Sequence, residues 1–407
     1  MRGRSRLLAL VAVLGPGLLA GLSDDDPAGI TTYSILGADH GYGLLWVLLL
    51  STVALIVFHE LGARMGVVTG QGLAGLVRHR YGVRVAAGAT AALLVANVGT
   101  TCAEFAGVAA ALELAGVSRY VSVPVAAAAI AAVVLRASFH RVEHVLLALS
   151  AVFVTYVGSG ILAHPDWGGA ARGLVVPHLS PTRSAVIAVT ATVGTTLAPW
   201  GLAFIQSYAV DKRLREPDLA YERVDVTVGA VLTGVIGLFV VVACAATLHA
   251  HGRSIGDARD AAVALRPLAG GLAATLFAVG LLGAAVLAAA ILPLSTAYSV
   301  SEVLGHEAAL DDSAAEAPWF YGTYWLVMTV AVAIVLVPGA PLIPILYATQ
   351  VVNAVLLLPI LVLVWGIARD ADLMGAHRNR ALGSALAGVT ITAIAACVAA
   401  LIALSLA

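Results

Sequence analysis

The chain has 407 residues, of which 61% are hydrophobic and 11% charged, with a formal net charge of −1 and a mean hydropathy of +0.98. A soluble domain is about half apolar and a quarter charged, so the composition excludes a soluble enzyme or scaffold and points to a polytopic protein of the lipid bilayer. The near-zero net charge offers no electrostatic footprint for a nucleic-acid partner.

A membrane helix needs about 20 mostly apolar residues. Runs of that kind occur near 7–38, 42–63, 85–112, 119–135, 145–163, 184–210, 226–248, 269–300, 319–337, 341–366 and 381–405. No small-residue cleavage site follows a short apolar segment, so the N-terminus is expected to be retained. The stretch Trp319 to Ala368 has no Asp, Glu, Lys or Arg and is too long for one helix. It is divided at the "PGAP" of Pro338–Pro341, because proline cannot continue a helix. Cys102, Cys244 and Cys397 lie far apart in apolar runs, form no metal or redox spacing, and read as small packing residues. With the N-terminus cytoplasmic, sixteen of the 22 Lys and Arg residues fall on the inner side, the distribution that positive-inside topology favours. The C-terminus is then outside. The acidic inner loop "SEVLGHEAALDDSAAEAP" dissents mildly, since carboxylates weigh little in that rule.

The first and sixth spans share a defect. The first contains "SDDDPAG", Ser23–Gly29, and the sixth "TTLAPWG", Thr195–Gly201. Proline removes a backbone hydrogen bond and clashes with the preceding turn. In lipid the freed groups must be satisfied by protein, water or an ion. Interruptions at matching places in two halves are the best sequence pointer to a transport site. Spans one to five (about 7–163) and six to ten (about 184–366) therefore read as inverted repeats. The span at about 381–405 is an addition, and 1–407 is a single transmembrane domain. A charged Asp at mid-membrane costs at least about 2.5 kcal/mol, so Asp24, Asp25 and Asp26 call for a compensating cation or water.

Several bland assignments stand beside these. His59-Glu60 lacks a histidine at Ala63, so the H-E-x-x-H zinc motif fails, and Glu60 is expected to pair with Arg64 at i, i+4. Thr195, Thr196 and Gln206 flank the second interruption and Gln350 lies mid-helix in the tenth span; all are hard oxygen donors. Gln350 serves equally well as a helix–helix hydrogen-bonding residue, Asn353 is expected to pack, and threonines in helices usually bond their own backbone. No Walker A, G-x-S-x-G or nucleotide fingerprint occurs, so neither ATP drive nor an enzyme is implied.

Longer stretches resemble the Nramp family of divalent-metal transporters: "GPGLLAGLSDDDPAGI" its first helix, "GYGLLWVLLLSTVALIVFHELGARMGVVTG" its second, "AEFAG" its third, "PDWGGAARGLVVPHL" the loop before the sixth, and "YERVD", "LFAVGLLGAAV", "TQVVNAVLLLP" and "LMGAHRNR" later elements. The resemblance implies an all-α LeuT-type fold, with helices one and six broken, working by alternating access. It implies that the metal is held where the family has D-P-G-N and M-P-H. Here Asp26 is kept, the Asn position is Gly29, and M-P-H reads Ala198, Pro199 and Trp200. Losing the thioether and gaining Asp24 and Asp25 leaves an all-oxygen set, which suits Mg²⁺, whereas sulfur favours softer ions. Gly29 and Ala198 are further expected to open space for a hydrated ion. This pattern is similar to the Nramp-related magnesium branch. The expected metal set is Asp26, Asp25, Asp24, Ala198, Gln350, Gly29 and Thr196. Of the family's proton route only Glu104 remains, its neighbours reading Thr101 and Trp200 with no basic residue in the ninth span. The expectation is a monomeric importer of Mg²⁺, and of Mn²⁺ too, with little or no proton coupling and no resident cofactor. The alternative is a proton-coupled Mn²⁺/Fe²⁺ importer.

Overall fold

A computed structural model describes residues 21, 24–136, 155–180, 182–305 and 316–406. Its principal helices are α1 (Pro27–His40), α2 (Leu45–Thr69), α3 (Leu73–Tyr81), α4 (Val83–Leu114), α5 (Arg119–Arg136), α6 (Thr155–Leu162), α7 (Trp167–Val175), α8 (Arg183–Thr196), α9 (Pro199–Asp211), α10 (Leu219–Thr247), α11 (Ala273–Leu304), α12 (Pro318–Val335), α13 (Leu342–Ala368) and α14 (Ala381–Leu406). Among the described residues, eight helical stretches are long and apolar enough to cross a membrane, with the shorter Arg119–Val134 beside them. These match nine of the expected spans. The first is described only at Gly21 and from Asp24 onward, and the fifth from Thr155. Their remaining portions, and most of the acidic loop after Ser301, lie outside the described residues.

The expected division at "PGAP" holds: α12 ends at Val335 and α13 begins at Leu342, with Gly339 at a φ of 78° that non-glycine residues avoid. The two interruptions are also present. Asp24 to Asp26 are non-helical before α1, and Leu197 and Ala198 separate α8 from α9. Each following half-helix starts with a proline, Pro27 or Pro199, at its first turn. Proline suits that position because the first amides of a helix lack intrahelical acceptors anyway. The residue before each is extended, Asp26 with ψ 172° and Ala198 with ψ 136°, as the proline ring requires.

The broken elements form the centre. α1 packs against α4, α8, α10 and α13, and α9 against α2, α4 and α11. The α8–α9 pair is buried almost throughout, whereas α14 is mostly exposed. Lipid tails are as apolar as leucine, so helices associate through close packing and polar contacts rather than hydrophobic expulsion. Gly194 of α8 accordingly lies against the backbone of Gln350 and Ala354 on α13. Asn97 of α4 donates to the Thr296 hydroxyl of α11 at 2.7 Å.

The Glu60–Arg64 pair forms at 3.2 Å. Its surroundings were not legible locally. Arg223 of α10 also reaches Glu60 at 2.8 Å, and Arg64 donates to the His377 carbonyl at 2.9 Å and the Asn379 side chain at 2.6 Å. Arg64 thus fastens α2 to the segment after α13. Arg64→Ala is expected to cost about 1–3 kcal/mol, the range for buried hydrogen bonds to a charged group. Thermal unfolding in detergent should show a lower midpoint, and an unchanged midpoint would deny the fastening role.

Candidate functional site

The two interruptions meet. Asp24, Asp25 and Asp26 are 2%, 1% and 4% exposed, and Glu104 of α4 is 0% exposed. Asp26 caps α1: its carboxylate accepts the Gly29 amide at 2.5 Å, where the positive end of the helix favours an anion. A Cβ built on Gly29 would stand 2.6 Å from the Asp24 carbonyl oxygen, 3.3 Å from an Asp26 carboxylate oxygen and 3.4 Å from the Thr195 hydroxyl. Three oxygens, drawn from both interruptions, therefore gather at one point. The Thr195 hydroxyl has no hydrogen-bond partner, while the Glu104 carboxyl lies against that of Asp26, close enough for the two to share a hydrogen bond. Pro199 has no amide to offer the carbonyl four residues earlier, which is that of Thr195. All these donors are hard oxygens, the kind that hold Mg²⁺, Ca²⁺ or Mn²⁺.

The other expected residues divide. The three aspartates do not converge. Asp24 directs an oxygen toward Gly201 at the start of α9. Asp25 is buried with neither carboxylate oxygen hydrogen-bonded. Asp26 turns to Gly29 and Glu104. Successive side chains of a non-helical segment project to different sides, and among the described residues no three His, Cys, Asp or Glu side chains come together as a metal-holding group. The Thr196 hydroxyl is already engaged, donating to the Thr192 carbonyl at 2.8 Å and lying 3.0 Å from the Tyr33 hydroxyl. Gln350 accepts from Asn353 at 3.1 Å and donates to the Thr349 hydroxyl at 3.2 Å, while Asn353 also donates to Thr100 of α4 at 3.0 Å. Both Gln350 bonds stay within α13, so the bond between helices is made by Asn353, which was expected only to pack. Ala198 caps α9 without a side-chain bond, and its carbonyl accepts the Gly201 amide at 3.1 Å. The space expected from glycine at position 29 is taken up by the Asp24 carbonyl. Trp200 sits in an apolar cluster with Phe204, Leu287 and Ile291, and the Thr101 hydroxyl bonds back to Asn97 at 2.7 Å.

Two residues carry more weight than their sequence context suggested. Thr195 rather than Thr196 faces Gly29 with an unpartnered hydroxyl, a distinction of one position on a helix. His59, weighed only as part of a failed zinc motif, is buried with neither ring nitrogen bonded. An ionisable side chain in the middle of a membrane span was the available signal.

Comparison with known proteins places the geometry in context. The Nramp family model, described as natural resistance-associated macrophage protein-like, matches residues 17–404. A divalent metal cation transporter MntH of Burkholderia ambifaria is 32% identical over 297 residues, covering 70% of this chain and 66% of that protein. The MntH of Acidiphilium cryptum is 29% identical and covers 96% of this chain and 88% of its own length. Among solved structures, the Eremococcus coleocola manganese transporter superposes with a TM-score of 0.78 at 19% identity, over 97% of this chain and 86% of that one. The nucleobase–cation symporter Mhp1 gives 0.59 at 14% identity, over 97% and 91%, so the all-helical LeuT-type architecture holds beyond the immediate relatives. The chain belongs to the Nramp family of divalent metal cation transporters.

Proposed function

We propose that the chain imports divalent cations by alternating access, Mg²⁺ foremost and Mn²⁺ also, without carrying protons. The observation that carries this reading is the buried carboxylate group at the interruptions. Both oxygens of Asp24 and Asp25 lack hydrogen-bond partners, Glu104 has only the Asp26 carboxyl beside it, and among the described residues no Lys or Arg forms an ion pair with any of them. Buried charges must be paired or bind a cation. The Asp26 carboxylate, the Thr195 hydroxyl and the Asp24 carbonyl supply the oxygen set, with water completing the shell that Mg²⁺ gives up reluctantly. Gly29 belongs to the site as the place where both interruptions approach. Ala198 contributes by leaving sulfur out, and Asp25 adds negative charge. Gln350 and Thr196 support the site from behind rather than touching the ion.

With the N-terminus cytoplasmic, an inward-moving divalent ion gains about 4.6 kcal/mol per 100 mV, twice the figure for one charge. That suffices without protons. A proton relay needs a chain of titratable groups within hydrogen-bond reach of one another, and of the positions that the resemblance implies for it, Thr101, Trp200 and an α12 without Arg or Lys leave only Glu104, beside Asp26. Spans one to five and six to ten act in this reading as the two repeats that rock about the interruptions, in a monomer.

The second reading, a proton-coupled Mn²⁺ importer, draws on the manganese relatives and on Glu104. Uptake of Mg²⁺, Mn²⁺ and Ca²⁺ into proteoliposomes holding an internal pH dye, with the potential clamped, separates the two. The expected result is Mg²⁺ and Mn²⁺ uptake driven by an inside-negative potential with a flat pH trace. Acidification that follows metal dose and vanishes in Glu104→Gln would establish the second reading instead.

A further inference from the structure

His59, Gly62 and Gly66 are spaced i, i+3 and i+7 on α2, so they share one face. That face lies on α9. A Cβ on Gly62 would stand 3.0 Å from Ile205, and one on Gly66 would stand 2.5 Å from the Gln206 carbonyl. The Gly-x-x-x-Gly spacing is what lets two membrane helices approach this closely, and it fixes where His59 projects. The imidazole arrives at the first turn of α9, beside Gly201. Its Nε2 lies 3.1 Å from the position a Gly201 Cβ would take, and Asp24 Oδ1 lies 3.7 Å from that same position. The absent side chain of Gly201 is therefore the gap that both groups border.

His59 is 1% exposed and Asp24 2%. Neither ring nitrogen and neither carboxylate oxygen has a hydrogen-bond partner. Leaving a buried polar group unpartnered is costly, and each such group in a folded protein calls for an explanation. An imidazole and a carboxylate bordering one gap are a familiar pair of ligands for a divalent ion, with water in the remaining positions. The sequence resemblance places an imidazole at position 200, where this chain has Trp200. Here an imidazole reaches the adjacent position, 201, from a different helix.

We propose that Asp24 and His59 form a second contact point for the transported cation, distinct from the Asp26–Thr195–Gly29 point and displaced from it along the start of α9. This rests on the reading that the chain moves divalent cations. The mixed nitrogen and oxygen pair holds Mn²⁺ or Fe²⁺ better than an all-oxygen set does, so the second contact is what lets Mn²⁺ pass beside the Mg²⁺ that the all-oxygen point accepts.

The test uses the full chain in nanodiscs with Mn²⁺ as the probe. Pulsed electron paramagnetic resonance of saturating Mn²⁺ should show coupling to an imidazole nitrogen. The coupling should be lost in His59→Gln, a variant that keeps side-chain size and polarity. In proteoliposomes His59→Gln and Asp24→Asn should each slow Mn²⁺ uptake by about tenfold, while His59→Gln slows Mg²⁺ uptake by less than about threefold, the selectivity expected when a nitrogen ligand is removed. Retained Mg²⁺ uptake shows that His59→Gln is folded. Absence of nitrogen coupling in the unmodified chain, its persistence in His59→Gln, or equal loss of both ions overturns the second contact. Asp26→Asn read in the same assays distinguishes the two assignments. Abolished uptake there, with no nitrogen coupling in the unmodified chain, rejects only the His59 contact. Normal uptake by Asp26→Asn rejects the first contact point instead.

Discussion

Asp26→Ala is expected to abolish Mg²⁺ and Mn²⁺ uptake while the protein still reaches the membrane. Asp26 has two tasks that the substitution removes together. Its carboxylate accepts the Gly29 amide and caps α1, and it supplies a charge beside the Thr195 hydroxyl and the Asp24 carbonyl. Losing a helix cap costs about 1 kcal/mol. Losing one partner of a buried charge interaction costs about 3–5 kcal/mol, or more than about a hundredfold in affinity. Asp26→Asn separates the two, because asparagine caps a helix as well as aspartate does. It should keep the thermal stability of the unmodified chain and still fail to transport. Uptake at an ordinary rate by Asp26→Asn would mean that the ion does not use this charge.

Gly29→Ala is expected to cut uptake by about ten- to a hundredfold. The methyl group would lie 2.6 Å from the Asp24 carbonyl and 3.3 Å from Asp26. A backbone oxygen cannot swing aside as a long side chain can, so one half of the first span must shift. Overpacking of this kind costs about 1–3 kcal/mol. Gly29→Asn tests the same geometry more severely. By resemblance it restores a ligand and should improve metal binding. By the packing around Gly29 it should impair uptake further than alanine does. Metal titrations of the purified variants decide: tighter Mn²⁺ binding by Gly29→Asn would show that the interruption opens readily enough to admit the larger side chain.

The helical architecture, the two interruptions, the division at Pro338–Pro341 and the Glu60–Arg64 pair were all determined by the sequence. Each depends on local chemistry: run length against bilayer thickness, proline against helix continuity, charges one turn apart. The stretch Asp24 to Asp26 marked the site for the same reason, since adjacent carboxylates in a membrane span stand out whatever surrounds them. Which way those carboxylates turn was decided only by the tertiary structure. Asp24 borders Gly201 and Asp26 caps α1, because the dihedrals of a broken helix send neighbouring side chains to different partners. Thr196 is occupied by Thr192 and Tyr33 while Thr195 is unpartnered, and Gln350 is held by Asn353. The Tyr33–Thr196 contact and the bond from Asn353 to Thr100 join helices far apart in sequence, whereas Thr192 and Asn353 lie one turn away on the same helices as their partners. His59 is the clearest case: α2 supplies it, α9 receives it, and only the close packing at Gly62 and Gly66 brings it to Asp24 across the gap at Gly201.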